Sequence, residues 1–120
     1  MIQNGKKITM QYVIGIDIGT TSIKLVLYNP NGEVKGYVNN GYKLYQDTPD
    51  MAEEDPNEIF KAMISGLHDI TEKVDNPDDI KGASFSCAMH SLILLDQDHR
   101  PLTRALTWAD NRAFKYANQL

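Results

Sequence analysis

The sequence predicts an α/β domain built on a mixed β-sheet, and three observations carry that reading. Apolar runs rich in β-branched residues at 12–18, 22–28 and 80–87 read as strands. The tetrapeptide Asn29-Pro30-Asn31-Gly32 is a strong hairpin turn joining the second run to a third. Between the third and fourth runs stands a stretch whose apolar residues recur at helical spacing. The order is β-β-β-α-β, followed by a hairpin and a C-terminal helix. A meander followed by a crossover helix makes the fourth strand parallel to a neighbour, hence a mixed sheet.

Each element has its own grounds. Tyr12-Val13-Ile14-Gly15-Ile16-Asp17-Ile18 carries apolar residues on both alternating faces, as in a strand covered on both sides. Gly19-Thr20-Thr21 then turns the chain. From Ser22 to Tyr28 the strand pattern resumes, with Ile23, Leu25 and Leu27 on one face. Glu33 to about Tyr45 reads as a third strand with less clean alternation. Asp55-Pro56-Asn57-Glu58 resembles a capping box with proline at the first helical position. Ile59, Phe60, Met63, Ile64, Leu67, Ile70 and Val74 follow as a helix, and Asn76-Pro77 stops it. Ile80 to Cys87 is the fourth strand. Ser91 to Asp96 and Thr103 to Trp108 form two arms around the polar turn Gln97-Asp98-His99-Arg100-Pro101, and a last helix starts near Asp110. Residues 1–11 are expected to be a frayed or disordered extension, with Met10 as an alternative start, because patterned sequence begins only at Tyr12.

Composition narrows the classes of function. With 120 residues the chain is one small domain or a piece of a larger one, not a complete two-domain enzyme. Hydrophobic residues at 42% and charged residues at 23% argue against disorder. A formal charge of −4 speaks against a nucleic-acid face, though not against a local phosphate site. The single cysteine, Cys87, excludes an intrachain disulfide and a cysteine-based zinc site, and reads as a small buried apolar residue. No run approaches the ~20 apolar residues of a membrane span. The first eleven residues lack the apolar core of a secretory signal, so the expected setting is the cytoplasm. The segment from Asp47 to Glu58 holds six acids and no base, and reads as a solvated loop leading into the helix.

Three constellations could carry chemistry. The first is Asp17-Ile18-Gly19-Thr20-Thr21-Ser22-Ile23-Lys24, between two strands. Gly19 permits a tight turn and close approach of a ligand. Backbone N–H groups with the hydroxyls of Thr20, Thr21 and Ser22 can ring a phosphate. Asp17, read as buried at the strand end, is a hard oxygen ligand suited to Mg²⁺, and Lys24 adds positive charge. Neither GxxxxGK[ST] nor GxGxxG is present, so this is not the helix-linked phosphate loop or the dinucleotide fingerprint. An ordinary hairpin turn is the plain alternative. The second constellation is Ser86-Cys87-Ala88-Met89-His90-Ser91, at the carboxyl end of a strand, where α/β folds place ligands. His90 suits a polyol or carboxylate oxygen, or else is a satisfied structural residue. The third is Trp108-Ala109-Asp110-Asn111-Arg112. Trp108 offers a flat apolar face and one indole donor, or is a core tryptophan. Asp110 can cap the last helix, and Arg112 can pair with it or reach an anion.

Jointly these segments resemble the FGGY carbohydrate kinases, of the sugar kinase, actin and heat-shock ATPase superfamily. Gly15 through Lys24 is similar to the family's first phosphate motif, and Ala52-Glu53-Glu54-Asp55-Pro56 to the acidic loop before its first helix. Ala88-Met89-His90-Ser91 resembles the substrate-side segment, and Trp108 to Ala113 the W-x-D-x-R motif that follows the hairpin. Xylulose kinases typically read Gln-Met-His-Gly at the substrate side, and the Ser-x-x-Met-His-Ser form here is more similar to gluconate kinases. The resemblance covers about residues 12–120 and implies a ribonuclease H-like fold. It implies ATP-dependent phosphorylation of a sugar or sugar acid, with gluconate favoured and xylulose or another pentulose the alternative. Asp17 would organise Mg²⁺; Gly19, Thr20, Thr21, Ser22 and Lys24 would contact ATP phosphates. Met89, His90, Trp108, Asp110 and Arg112 would line the sugar site.

Family members have two such domains, with the catalytic base later in the first and the adenosine pocket in the second. The expectation is therefore a partial N-terminal domain, truncated, with its base beyond Leu120 and no turnover alone. Uncovered surfaces in such a piece would favour self-association. A non-catalytic module of the same fold, or a phosphohydrolase of the superfamily, are the readings from other classes.

Overall fold

The computed structural model describes residues 2–3, 6–7 and 11–119. The central strands form because β-branched and aliphatic residues alternate against a common face. They are β3 (Tyr12–Ile18), β4 (Ser22–Tyr28), β5 (Val34–Gly41) and β8 (Ile80–Cys87), in the spatial order β5-β4-β3-β8. β3 pairs antiparallel with β4 and parallel with β8, and β4 pairs antiparallel with β5, so the sheet is mixed as expected. Before it, β1 (Ile2–Gln3) pairs with β2 (Lys6–Lys7). Residues 1, 4–5 and 8–10 of the expected frayed extension lie outside the described residues.

The β4–β5 turn shows why its sequence is Asn-Pro-Asn-Gly. Asn29, buried, accepts from the Asn31 and Glu33 backbone N–H groups through its side-chain oxygen. Gly32 takes the left-handed φ of 77° that closes the turn.

Helix α1 (Pro56–Thr71) starts where the sequence places it. Asp55 caps it by accepting from Asn57 N–H at 2.8 Å, with Pro56 in the first turn. The second half of a capping box is not made: Glu58 instead accepts from the Tyr45 hydroxyl at 2.8 Å. The helix ends at Thr71, ahead of Asn76-Pro77, where a short 3₁₀ turn over Pro77–Asp79 leads into β8. α1 lies over β4 and β5. Ile23, Leu25, Leu27 and Ile70 between them are fully buried, and Ile14 and Ile16 nearly so. Full burial of each such side chain contributes about 1.5–3 kcal/mol. The face opposite is uncovered among the described residues, which corrects the expectation of a β3 covered on both sides. Val13 there is 50% exposed.

Two further differences concern strand ends. The expected third strand over 33–45 divides. β5 stops at Gly41, and β6 (Leu44–Tyr45) joins a second, three-stranded sheet with β7 (Glu53–Glu54) and β9 (Ala105–Leu106). Tyr42 is the break, because its hydrogen bonds run to the β3–β4 bend rather than to a sheet neighbour. The acidic 47–58 segment is accordingly not a plain solvated loop. Glu53 and Glu54 are strand residues, Glu54 is buried, and Arg104 approaches Asp47 and Glu53 at 3.8 and 4.0 Å. The hairpin arms pair at Leu92↔Leu106 and Leu95↔Pro101. The C-terminal helix is a 3₁₀ run over Phe114–Gln119, starting later than Asp110, whose carboxylate is engaged elsewhere.

Candidate functional site

The bend between β3 and β4 is held from inside and open outside. Gly19 N–H donates to the Ser22 carbonyl at 3.0 Å, closing the turn over Thr20 and Thr21. Positive φ is not what requires glycine at position 19. A Cβ there would stand 3.2 Å from the Ser22 carbonyl oxygen, so the requirement is room. Tyr42 braces the bend from beneath: its N–H donates to the Thr21 carbonyl at 3.0 Å, and its phenol donates to the Gly19 carbonyl. Burial, then the negative charges of Glu54 and Asp17, push the Tyr42 hydroxyl up to about 12, so it remains a donor at any physiological pH.

Asp17 does not lie deep in the sheet as expected. Alternation places it with Val13 and Gly15 on the uncovered face, opposite Lys24 on β4. Its carboxylate is 51% exposed and 3.7 Å from the Lys24 ammonium. Both border a shallow depression with Gly15, Tyr37, Ser84 and Ser86. Thr21 is exposed and Thr20 and Ser22 are half-buried, so the bend is not packed shut.

The second constellation reaches the same end of the sheet. Cys87 pairs with Ile18, and Ala88 N–H donates to the Ile18 carbonyl at 3.0 Å. Met89 and His90 therefore leave the sheet beside the bend. Met89 is 72% exposed. His90 has φ of 63°, a left-handed backbone that costs a non-glycine residue on the order of 1–3 kcal/mol. Cys87 is exposed, not buried as expected.

The third constellation divides into an anchor and a free face. Thr107 is buried and donates both its N–H and its hydroxyl to the Ala52 carbonyl, each at 3.0 Å. Asp110 accepts from Ala52 N–H at 3.0 Å and from Arg112 N–H at 3.2 Å. The Arg112 guanidinium lies on both Asp110 oxygens and reaches Glu53 at 2.5 Å. Those contacts hold the Asp110 carboxyl below its usual range and the Arg112 guanidinium above its own. Asp110 and Arg112 thus clamp this segment to β7. Between the anchors Trp108 is 61% exposed, so it is not a core tryptophan, and its indole N–H donates to Thr20 Oγ1 at 3.1 Å.

The fold therefore gathers Asp17, Gly19, Thr20, Thr21, Ser22, Lys24, Met89, His90 and Trp108 at one end of the sheet. Asp110 and Arg112 stand behind Trp108. The sequence did not single out Tyr42 or Glu53 as site residues. Glu53 had a signal in the Ala52-to-Pro56 segment; Tyr42 had none beyond an apolar residue in strand alternation.

The N-terminal domain model of the FGGY family of carbohydrate kinases matches residues 12–120. The chain belongs to the FGGY carbohydrate kinase family. A gluconokinase of Bacillus subtilis is 47% identical over 112 residues, covering 91% of this chain and 21% of that protein. A xylulose kinase of Staphylococcus epidermidis is 40% identical over 103 residues, covering 85% of this chain and 21% of that protein. The crystal structure of a gluconate kinase from Lactobacillus acidophilus superposes with a TM-score of 0.86 at 44% identity, covering 92% of this chain and 22% of that one. This FGGY chain thus spans about a fifth of the length of the relatives it matches. Among its described residues no helix is long and apolar enough to cross a membrane.

Proposed function

We propose that the protein carrying this chain transfers the γ-phosphoryl group of ATP to a hydroxyl of a sugar or sugar acid in the cytoplasm, with gluconate as the preferred acceptor. The observation that carries the reading is the open bend Asp17 to Ser22. Its hydroxyls and N–H groups stand at the carboxyl end of β3, with an exposed tryptophan bonded to it. Gly19, Thr20, Thr21 and Ser22 hold the nucleotide phosphates, and Lys24 beside Asp17 adds positive charge. The donor set suits Mg²⁺: one half-exposed carboxylate with hydroxyls nearby fits an ion that keeps most of its waters. When bound, Mg²⁺ neutralises charge on the phosphates. Met89, His90 and Trp108 form the sugar side, backed by Asp110 and Arg112. Catalysis in such a site is positioning and stabilisation of spread-out charge.

On this reading residues 12–120 are part of an N-terminal kinase domain, the general base lies outside them, and the 120-residue chain alone does not turn over. General-base catalysis is worth about 10²–10⁴-fold. The apolar residues left exposed, such as Phe85 at 59%, also favour self-association of that isolated chain. Higher identity to a gluconokinase than to a xylulose kinase supports gluconate, and xylulose is the second reading because the two identities are close. A coupled ADP-release assay on the protein expressed from its complete coding sequence tests the choice. Turnover with gluconate exceeding that with xylulose is expected. The reverse preference establishes the pentulose reading, and no sugar-dependent turnover overturns both.

A further inference from the structure

The contact between Trp108 and Thr20 joins residues 88 apart in sequence and links the sugar-side segment directly to the phosphate bend. The tryptophan is not there to fill a core. The residue is 61% exposed, while the chain before and after it is fixed: Thr107 by two bonds to the Ala52 carbonyl, Asp110 by Ala52 N–H and the Arg112 guanidinium. The local structure holds an indole in solvent and aims its one polar atom at a hydroxyl. An indole N–H donates and cannot accept. Thr20 Oγ1 must therefore act as the acceptor in this bond, which leaves its own single proton to be given to another group. Among the described residues no acceptor takes that proton. A hydroxyl that receives one hydrogen bond is also a better donor in the next.

We propose, resting on the kinase reading above, that Trp108 is a positioning residue for the phosphate bend. By occupying the Thr20 hydroxyl as a donor, it commits the Thr20 proton to an anionic phosphate oxygen. The affinity of the bend for the nucleotide thereby depends on the sugar-side segment. Sugar bound against the exposed indole face and nucleotide bound at the bend are coupled through this one bond, and by linkage the coupling is reciprocal.

Calorimetric titration of the complete protein with Mg·AMP-PNP, without sugar, tests the inference. Trp108→Phe keeps an aromatic face and removes the donor, and should weaken Mg·AMP-PNP binding roughly five- to tenfold, the worth of one such bond. Thr20→Val should weaken it at least as much, Thr20→Ser should keep near wild-type affinity, and the double variant should bind no worse than Thr20→Val alone. Thr20 lies in a turn outside the core, so its two variants keep the test informative if Trp108→Phe fails to fold. Binding by Trp108→Phe within twofold of wild type, with only the sugar KM raised, overturns the coupling while leaving the kinase reading intact. Additive losses in the double variant overturn it also. Failure of the wild-type protein to bind Mg·AMP-PNP overturns the kinase reading and this inference together.

Discussion

The two halves of this chain differ in how far they bury their apolar residues, because the core cluster is built from the first half. From Tyr12 to Ile70 the faces of sheet and helix that meet are buried: Ile23, Leu25, Leu27 and Ile70 have no exposed surface and α1 closes over them, while Val13, Val34, Phe60 and Ile64 on the other faces are 49–59% exposed. After Ile80 most large apolar residues stand outside: Phe85, Leu92, Ile93, Leu94 and Leu95 are 44–59% exposed, and every residue of β8 after Ile80 is exposed. Yet the second half supplies Met89, His90 and Trp108 to the bend made by the first. The first half is held by burial, the second by the β3–β8 ladder and a few polar anchors. Stability and site geometry should therefore respond to different substitutions.

The largest contrast lies in the core. Leu25→Ala should lower stability by about 2–5 kcal/mol, because a fully buried leucine leaves a cavity. Leu94→Ala, 47% exposed, should change it by no more than about 0.5 kcal/mol. Denaturant midpoints of the two variants read the difference, and equal losses would show that the exposed leucines carry as much stability as the core.

Next come the anchors. Asp110→Ala removes the partner of Ala52 N–H and of Arg112, and should cost about 1–3 kcal/mol. The pH dependence has a definite sign. Arg112 holds the folded carboxyl below its ordinary 3.8, so the contribution of Asp110 is present above pH 3.8 and fades as pH falls through the lower folded value. Melting curves of wild type and Asp110→Ala should converge in acid.

Tyr42→Phe should cost less, about 1 kcal/mol for one hydrogen bond, and should loosen the bend. A spectroscopic titration of the tyrosines should show one fewer hydroxyl still protonated well above pH 10 in the variant than in wild type.

The smallest effect should be a gain. Burial raises the Glu54 carboxyl above its ordinary 4.5, so the folded state favours the protonated form, and its contribution is lost as pH rises through the folded value. Glu54→Gln should melt slightly higher than wild type at pH 7, with the advantage shrinking toward pH 4. An advantage that grows in acid would show that Glu54 is held as a stabilised anion.

The same contrast explains what could be read from the residues alone. β3, β4 and β8, the helix start and the Asn29–Gly32 turn follow from local pattern, because burial and backbone geometry enforce a period and a turn chemistry over a few neighbours. The β5–β6 break did not, because alternation runs on through Tyr42 and only the bend of another hairpin draws its phenol away. The exposure of Asp17 and Cys87 depends on which sheet face is covered, which no strand pattern states. The residues of the site were legible as types in three segments. Their assembly was not, since the Trp108–Thr20 bond and the Glu53–Arg112 pair join distant parts of the chain.

On the proposed reading, the bend from Asp17 to Ser22 holds the phosphates of a nucleotide. Its most direct test is Mg·AMP-PNP binding by Asp17→Asn in the complete protein, compared with wild type at equal folded fraction. Binding at least tenfold weaker is expected, with an unchanged melting curve because Asp17 is half-exposed and outside the core. Equal affinity in the two proteins would contradict it.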